Sequence, residues 1–272
     1  MKEQVLKSKT IGFIGAGNMA QALISGLVAS KQVQAEQIFV FDIDSQRLKS
    51  ICKDLRVTST SGNHELAEKA EILILAVKPQ QVEGALEKMQ LRSDHLLISI
   101  AAGTTTQKLE KLTASKPKIV RVMPNTPALH RQGITAIFIG PRSGEKEAKI
   151  AEAIFNAVGK TVRIDSESLM DAVTALSGSG PAYFFHLAEL MVEAGIELGL
   201  DSKTATELVL QTLQGSASLA VSSQRPLAEL RKQVTSPGGT TEAALRIFES
   251  RDLRGMVKEA VRRAFERSRE LS

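Results

Sequence analysis

Tryptophan is absent from this chain of 272 residues, tyrosine and cysteine occur once each, and there are four histidines. A single cysteine excludes an internal disulfide. Cys52, within RLKSICKDL, has no neighbouring histidine to activate it and reads as a helix-packing residue. His64, His95, His130 and His186 are scattered without metal-ligand spacing, so no metal site is expected. The shortage of large aromatics removes the platforms on which nucleic-acid bases stack. No apolar run reaches the roughly 18 to 20 residues of a membrane span, and MKEQVLKSKT lacks the apolar stretch of a secretory signal. A cytoplasmic protein with neither a membrane nor a nucleic-acid partner is expected. The net charge of +5 is modest, and the basic residues of the C-terminal stretch are interleaved with acids, as on a solvated helix face.

What is present is a 43% apolar composition, enough for two modest cores. From Thr10 to Ile164, short apolar runs (IGFIG, QIFVF, EILILAV, HLLISI, KIVRVM, ITAIFI, KTVRI) alternate with helical patterns at Asn18–Ser30, Ser45–Leu55, Gln80–Met89 and Gly144–Val158. Such alternation predicts an α/β Rossmann domain with a mainly parallel, doubly wound sheet. Beyond Ile164 the strand pattern stops, and helical periodicity predicts helices over 166–199, 202–222, 226–234 and 240–270. The boundary is therefore placed between a dinucleotide-binding domain, 1–165, and an all-α domain, 166–272.

IGFIGAGNMAQALISGL puts Gly15-Ala16-Gly17-Asn18-Met19-Ala20 between a strand and a helix. Gly15 permits the tight turn, Gly17 the close approach of a pyrophosphate, and Ala20 close packing of helix on strand. The helix N-terminus adds free N–H groups and partial positive charge. Asp42 lies 22 residues beyond Ala20, where a carboxylate accepts from ribose hydroxyls. With Asp44, it would repel a 2′-phosphate, which argues that NADH is accepted. Arg47 has two readings, a surface helical residue or a partner for such a phosphate. Ala76-Val77-Lys78-Pro79 and Ala101-Ala102-Gly103 end strands at the sheet's carboxyl edge, where these folds bind ligands. Lys78 reads as a cofactor contact aimed by Pro79, or as a plain strand-end lysine.

Taken in order, GFIGAGNMAQA, AVKP, SIAAG, RVMPNTPA, ALSGSGPAYFF and VTSPGGTTEAAL resemble the pyrroline-5-carboxylate reductase family across nearly the whole chain. The resemblance implies a Rossmann domain, a helical domain that pairs with a second subunit, and often a ring of such dimers. It also implies reduction of 1-pyrroline-5-carboxylate to L-proline, the last step of proline synthesis, by NADPH or NADH. By the same match Ile14, Gly15, Ala16, Gly17, Asn18, Met19, Asp42, Asn63, Ala76, Val77, Lys78, Pro79 and Gln233 occupy cofactor positions. Ser177, Gly178, Ser179 and Gly180, together with Ser236 to Thr241 and Glu167, occupy substrate positions. The Asp42-Ile43-Asp44 stretch departs from the small polar or basic residues that many members carry there.

Chemistry gives these loops a purpose. The substrate is a small ring bearing a carboxylate, so Gly238, Gly239 and Thr240 supply backbone donors before a helix, and Ser177–Gly180 is expected to form a second glycine-rich turn. Thr241 is the candidate for donating to or orienting the ring nitrogen, its alternative reading being a helix cap. Asn125 reads as a nicotinamide contact or as a turn residue. Two rival functions stay open. A β-hydroxyacid dehydrogenase would need a lysine on the helix after the glycine turn, and Gly178–Gly199 contains none. A catalytically silent nucleotide-binding paralogue would show decayed substrate loops.

Overall fold

The computed structural model describes residues 5–271. Its strands are β1 (Ile11–Ile14), β2 (Ile38–Phe41), β3 (Thr58–Ser59), β4 (Ile72–Leu75), β5 (Leu96–Ser99), β6 (Lys118–Met123), β7 (Gly133–Ile139) and β8 (Gly159–Arg163). They form one sheet in the order β3-β2-β1-β4-β5-β6-β7-β8. All neighbours run parallel except β6 and β7, which are antiparallel. Every residue of β1, β4 and β5 is buried, as strands covered on both faces require. Their side chains enter two apolar cores, with Phe13, Ile74 and Ile98 in one and Ile14, Leu73, Leu75 and Leu97 in the other. The strand order reverses at β1 and β4, which opens a crevice at their carboxyl ends.

The helices of this half are α1 (Asn18–Ala29), α2 (Ser45–Leu55), α3 (Asn63–Lys69), α4 (Val82–Leu86), α5 (Thr106–Leu112) and α6 (Glu145–Phe155). The helix predicted over Gln80–Met89 is instead a 3₁₀ turn, Pro79–Gln81, followed by the short α4. Pro79 starts that turn, and Gln81 bonds back to the Lys78 N–H, so the regular helix begins only at Val82. Cys52 packs against the core from α2, and burial pushes its thiol pKa up.

Beyond β8 the chain is helical: a 3₁₀ turn at Glu167–Leu169, then α7 (Met170–Val173), a π turn at Thr174–Gly178, α8 (Gly180–Glu197), α9 (Ser202–Ser223), α10 (Leu227–Gln233), α11 (Thr240–Ser250) and α12 (Leu253–Glu270). The single helix expected over 240–270 is two, divided where Asp252 adopts φ +52° and its carboxylate receives the Gly255 N–H at 3.0 Å. Two compact units result, residues 1–179 with 264–272, and residues 180–263. In the second unit Gly195 of α8 lies against Ala205 of α9. Many of this unit's large apolar side chains are exposed in the single chain, among them Phe185 at 65% and Leu210 at 53%. Apolar surface on this scale marks an association face. The folded state should therefore gain from self-association, and about a hundredfold dilution should lower the melting temperature measurably by mass action. A concentration-independent melting temperature would oppose this.

Candidate functional site

A cavity of about 680 Å³ opens at the crevice and is lined by Ile14, Gly15, Gly17, Phe41, Asp42, Asp44, Arg47, Asn63, Ala76, Val77 and Lys78, with Gln80, Gln81, Gly84 and Ala85. This volume lies within the range of pockets that hold cofactors. The strand-turn-helix motif places its own residues here. Gly15 donates to the Phe41 carbonyl at 2.8 Å, with φ +102°, and a Cβ on it would stand 2.7 Å from the Ala76 carbonyl oxygen. Gly17 is the N-cap of α1, and a Cβ there would meet nothing within 4 Å among the described residues. With Asn18 at the first position of α1 and Ala20 fully buried beneath it, the helix N-terminus is directed at the turn.

Asp42 is 8% exposed and holds the glycine turn in place. Its Oδ2 accepts the Ala16 N–H at 2.7 Å, and its Oδ1 accepts the Asp44 N–H at 2.8 Å. Each carboxylate oxygen has two lone-pair directions, so acceptor capacity remains for a ribose hydroxyl. Asp44 caps α2 by accepting from the Gln46 and Arg47 N–H groups. The Arg47 N–H first, and then its guanidinium charge, hold the Asp44 carboxyl below its ordinary range. Asn63 donates to the Ala85 carbonyl at 2.9 Å. Its buried Oδ1 has no hydrogen-bond partner among the described residues. An orphaned acceptor in a cavity wall suits a ligand donor. A glycine cradle, an aimed helix terminus, Asp42 and this acceptor together fit a dinucleotide.

Glu167 is held by three donors. Its carboxylate accepts the Thr106 N–H at 2.7 Å, the Thr106 hydroxyl at 2.6 Å and the Arg121 guanidinium at 3.0 Å. The brace joins the first residue of α5, the strand β6 and the 3₁₀ turn at Glu167–Leu169. Sequence reasoning missed Arg121 and Thr106, because no local pattern links positions 46 and 61 residues away from Glu167. Asn125 Oδ1 accepts the Ile134 N–H at 2.9 Å.

The expected Ser177–Gly180 turn is helical. Residues 174–178 form the π turn, Ser179 N–H bonds to the Thr174 carbonyl at 2.9 Å, and Gly180 begins α8. The Ser177 hydroxyl donates to the Val173 carbonyl at 3.1 Å. The Ser179 N–H is therefore engaged within the helix rather than offered to an anion. Single π turns do recur at functional sites, because the inserted residue shifts the side chains that follow.

In the second unit, Gly238 has φ +71° and donates to Glu242 Oε2 at 2.9 Å, while Gly239 N–H bonds to the Ser236 carbonyl at 3.0 Å. Gly239, not a threonine, is the N-cap of α11. The N–H groups of Thr240 and Thr241 fall in its first turn, where no intrahelical acceptor exists. The donors of this segment are thus the two threonine amides and not those of Gly238 and Gly239. Gln233 is exposed at the end of α10.

No helix among the described residues is long and apolar enough to cross a membrane. Residues 167–271 match the family model for pyrroline-5-carboxylate reductase dimerisation, and residues 10–103 match one described as NADP oxidoreductase, coenzyme F420-dependent. The pyrroline-5-carboxylate reductase of Pseudomonas aeruginosa is 40% identical over 269 residues, 98% of both chains. Among solved structures, a pyrroline-5-carboxylate reductase from Coxiella burnetii superposes with a TM-score of 0.90 at 37% identity, covering 98% of this chain and 99% of that one. The Plasmodium falciparum pyrroline carboxylate reductase with NADP bound gives 0.88 at 33% identity, with 98% and 99% coverage.

Proposed function

This chain belongs to the pyrroline-5-carboxylate reductase family, and on that premise we propose how its residues carry out reduction of 1-pyrroline-5-carboxylate to L-proline, the closing step of proline biosynthesis. The observation that carries the reading is the full-length relationship at 40% identity. NAD(P)H supplies the hydride that reaches the C=N carbon. Hydride addition to the carbon of the neutral imine leaves the ring nitrogen to take up one proton, so the protein needs a hydrogen-bond donor placed at that nitrogen.

Residues 1–165 hold the cofactor through the Ile14–Met19 turn, Asp42, Asn63 and Ala76–Pro79, and residues 166–272 bind substrate and form the dimer; the family match also gives Gln233 a cofactor position. The Thr240 and Thr241 amides, at the positive end of α11, receive the substrate carboxylate. Thr241 Oγ1 donates to the ring nitrogen, a role its position inside the helix leaves open because Gly239 is the cap. Asp42 and Asp44 let the unphosphorylated cofactor be accepted beside NADPH. The place of action is the cytoplasm. Gly178–Gly199 offers no lysine for a hydroxy-acid mechanism.

Thr241→Ala should lower kcat/KM for the imine about 10- to 100-fold, as loss of a positioned proton donor does, while the cofactor KM holds and Thr241→Ser restores most of the rate. Full kcat/KM in Thr241→Ala would remove this role. Expression of the wild-type chain should rescue growth of a proline auxotroph lacking its own reductase, and failure to do so with folded protein present would oppose the reading.

A further inference from the structure

Arg47 sits in the first turn of α2, the end at which the helix dipole disfavours a cation. Two acids hold it there. Its guanidinium lies 3.4 Å from Asp42 Oδ2 and 3.3 Å from Asp44 Oδ2. Both distances are long for charge-assisted hydrogen bonds, which run shorter, near 2.7–2.9 Å. The side chain is 47% exposed and lines the cofactor cavity. Asp42, by contrast, is fixed by the Ala16 and Asp44 amides, and Asp44 by its cap bonds. Of the three charges, the cation alone is free to turn.

We propose that Arg47 is the specificity-determining residue for the cofactor's ribose, a movable counter-charge that lets one pocket take both the 2′-hydroxyl and the 2′-phosphate forms. This rests on the cofactor reading above. With a 2′-hydroxyl present, Arg47 stays on the two acids and Asp42 accepts a hydrogen bond from the hydroxyl. With a 2′-phosphate present, the guanidinium turns onto the phosphate, whose charge near −2 and three acceptor oxygens suit its planar fork. Asp42 and Asp44 remain in place, so the phosphorylated form binds against residual repulsion. Without Arg47, that form would face two uncompensated carboxylates.

The test is direct binding of NAD+ and NADP+ to the full chain by calorimetry, with no turnover involved. Arg47→Ala should weaken NADP+ at least tenfold more than NAD+. Asp44→Ser keeps a capping oxygen and removes one acid, so it should move the ratio the other way, tightening NADP+ relative to NAD+. Added salt should weaken NADP+ more than NAD+ in the wild type, and this difference should shrink in Arg47→Ala. Equal loss of both ligands in Arg47→Ala, or an unchanged ratio, would overturn the proposal while leaving the cofactor site standing. A wild-type chain that is folded and binds neither ligand would overturn both.

Discussion

Gly15→Ala is expected to raise the cofactor dissociation constant about 100-fold, equivalent to roughly 2.7 kcal/mol. The added methyl would stand 2.7 Å from the Ala76 carbonyl oxygen and 3.0 Å from Val77 Cγ1, on a backbone at φ +102°. Neither problem is relieved by turning a side chain, because the nearer atom belongs to the backbone at the end of β4. A left-handed or similarly sparse conformation in a residue with a Cβ costs of order 1–3 kcal/mol by itself. The turn must move, and with it the Ala16 amide that Asp42 holds. Gly17→Ala is the matched control: its Cβ meets nothing within 4 Å, so the folded chain should keep its melting temperature. Any loss there appears only with the cofactor present, where a pyrophosphate needs close backbone approach. Titration of both variants with NADPH, beside thermal melts, separates the two effects. Gly15→Ala binding as tightly as wild type would contradict the assignment of the turn.

The second large effect is expected at Arg121. This side chain is 4% exposed and Glu167 23% exposed, so Arg121→Met leaves a mostly buried carboxylate without its cation. Breaking buried pairs one partner at a time typically costs about 3–5 kcal/mol. Because Glu167 keeps some water contact, roughly 2–3 kcal/mol is expected here. Chemical denaturation should show the loss. Glu167→Gln in the Arg121→Met background should recover part of it, since the amide retains an acceptor for Thr106 without an unpaired charge. A double variant as unstable as the sum of the singles would show that the pair is not coupled. kcat should fall as well, because the brace ties the start of α5 to the 3₁₀ turn that precedes α7 and the Ser177 segment.

Which features were legible in the sequence follows from how local their causes are. β1, the glycine turn and α1 are contiguous, and IGFIGAGNMAQALISGL displays all three together. The helix expected at Ser45–Leu55 coincides with α2, and the structure adds that Asp44 caps it. β3 has two residues and α3 seven, too short for periodicity to register. The Ser177–Gly180 segment misled because two glycines normally signal a turn, whereas here the chain winds through them as a π turn into α8. The Arg121–Glu167–Thr106 brace has no sequence signature, since it exists only once strand order is fixed. The bond from the Ile134 amide to Asn125 was hidden for the same reason, since it exists only once β6 pairs antiparallel with β7.

Asp42 illustrates a change of meaning. Its spacing from Ala20 pointed to a ribose, and its bonds add a second duty, that of holding the Ala16 amide. Asp42→Ala should therefore disturb the turn as well as the ribose site, whereas Asp42→Asn keeps one acceptor oxygen and should be milder. Comparing the two by cofactor titration weighs the turn-holding duty against charge, and equal effects would assign the whole loss to the charge.

The central claim is that this chain transfers hydride from a nicotinamide cofactor to a cyclic imine. It is tested most directly by a steady-state assay of the purified protein with 1-pyrroline-5-carboxylate and each reduced cofactor, following cofactor oxidation by absorbance and the product by amino-acid analysis. Oxidation with either cofactor, matched one for one by L-proline, is the result predicted. Folded, cofactor-binding protein that forms no proline with NADH or NADPH would contradict it.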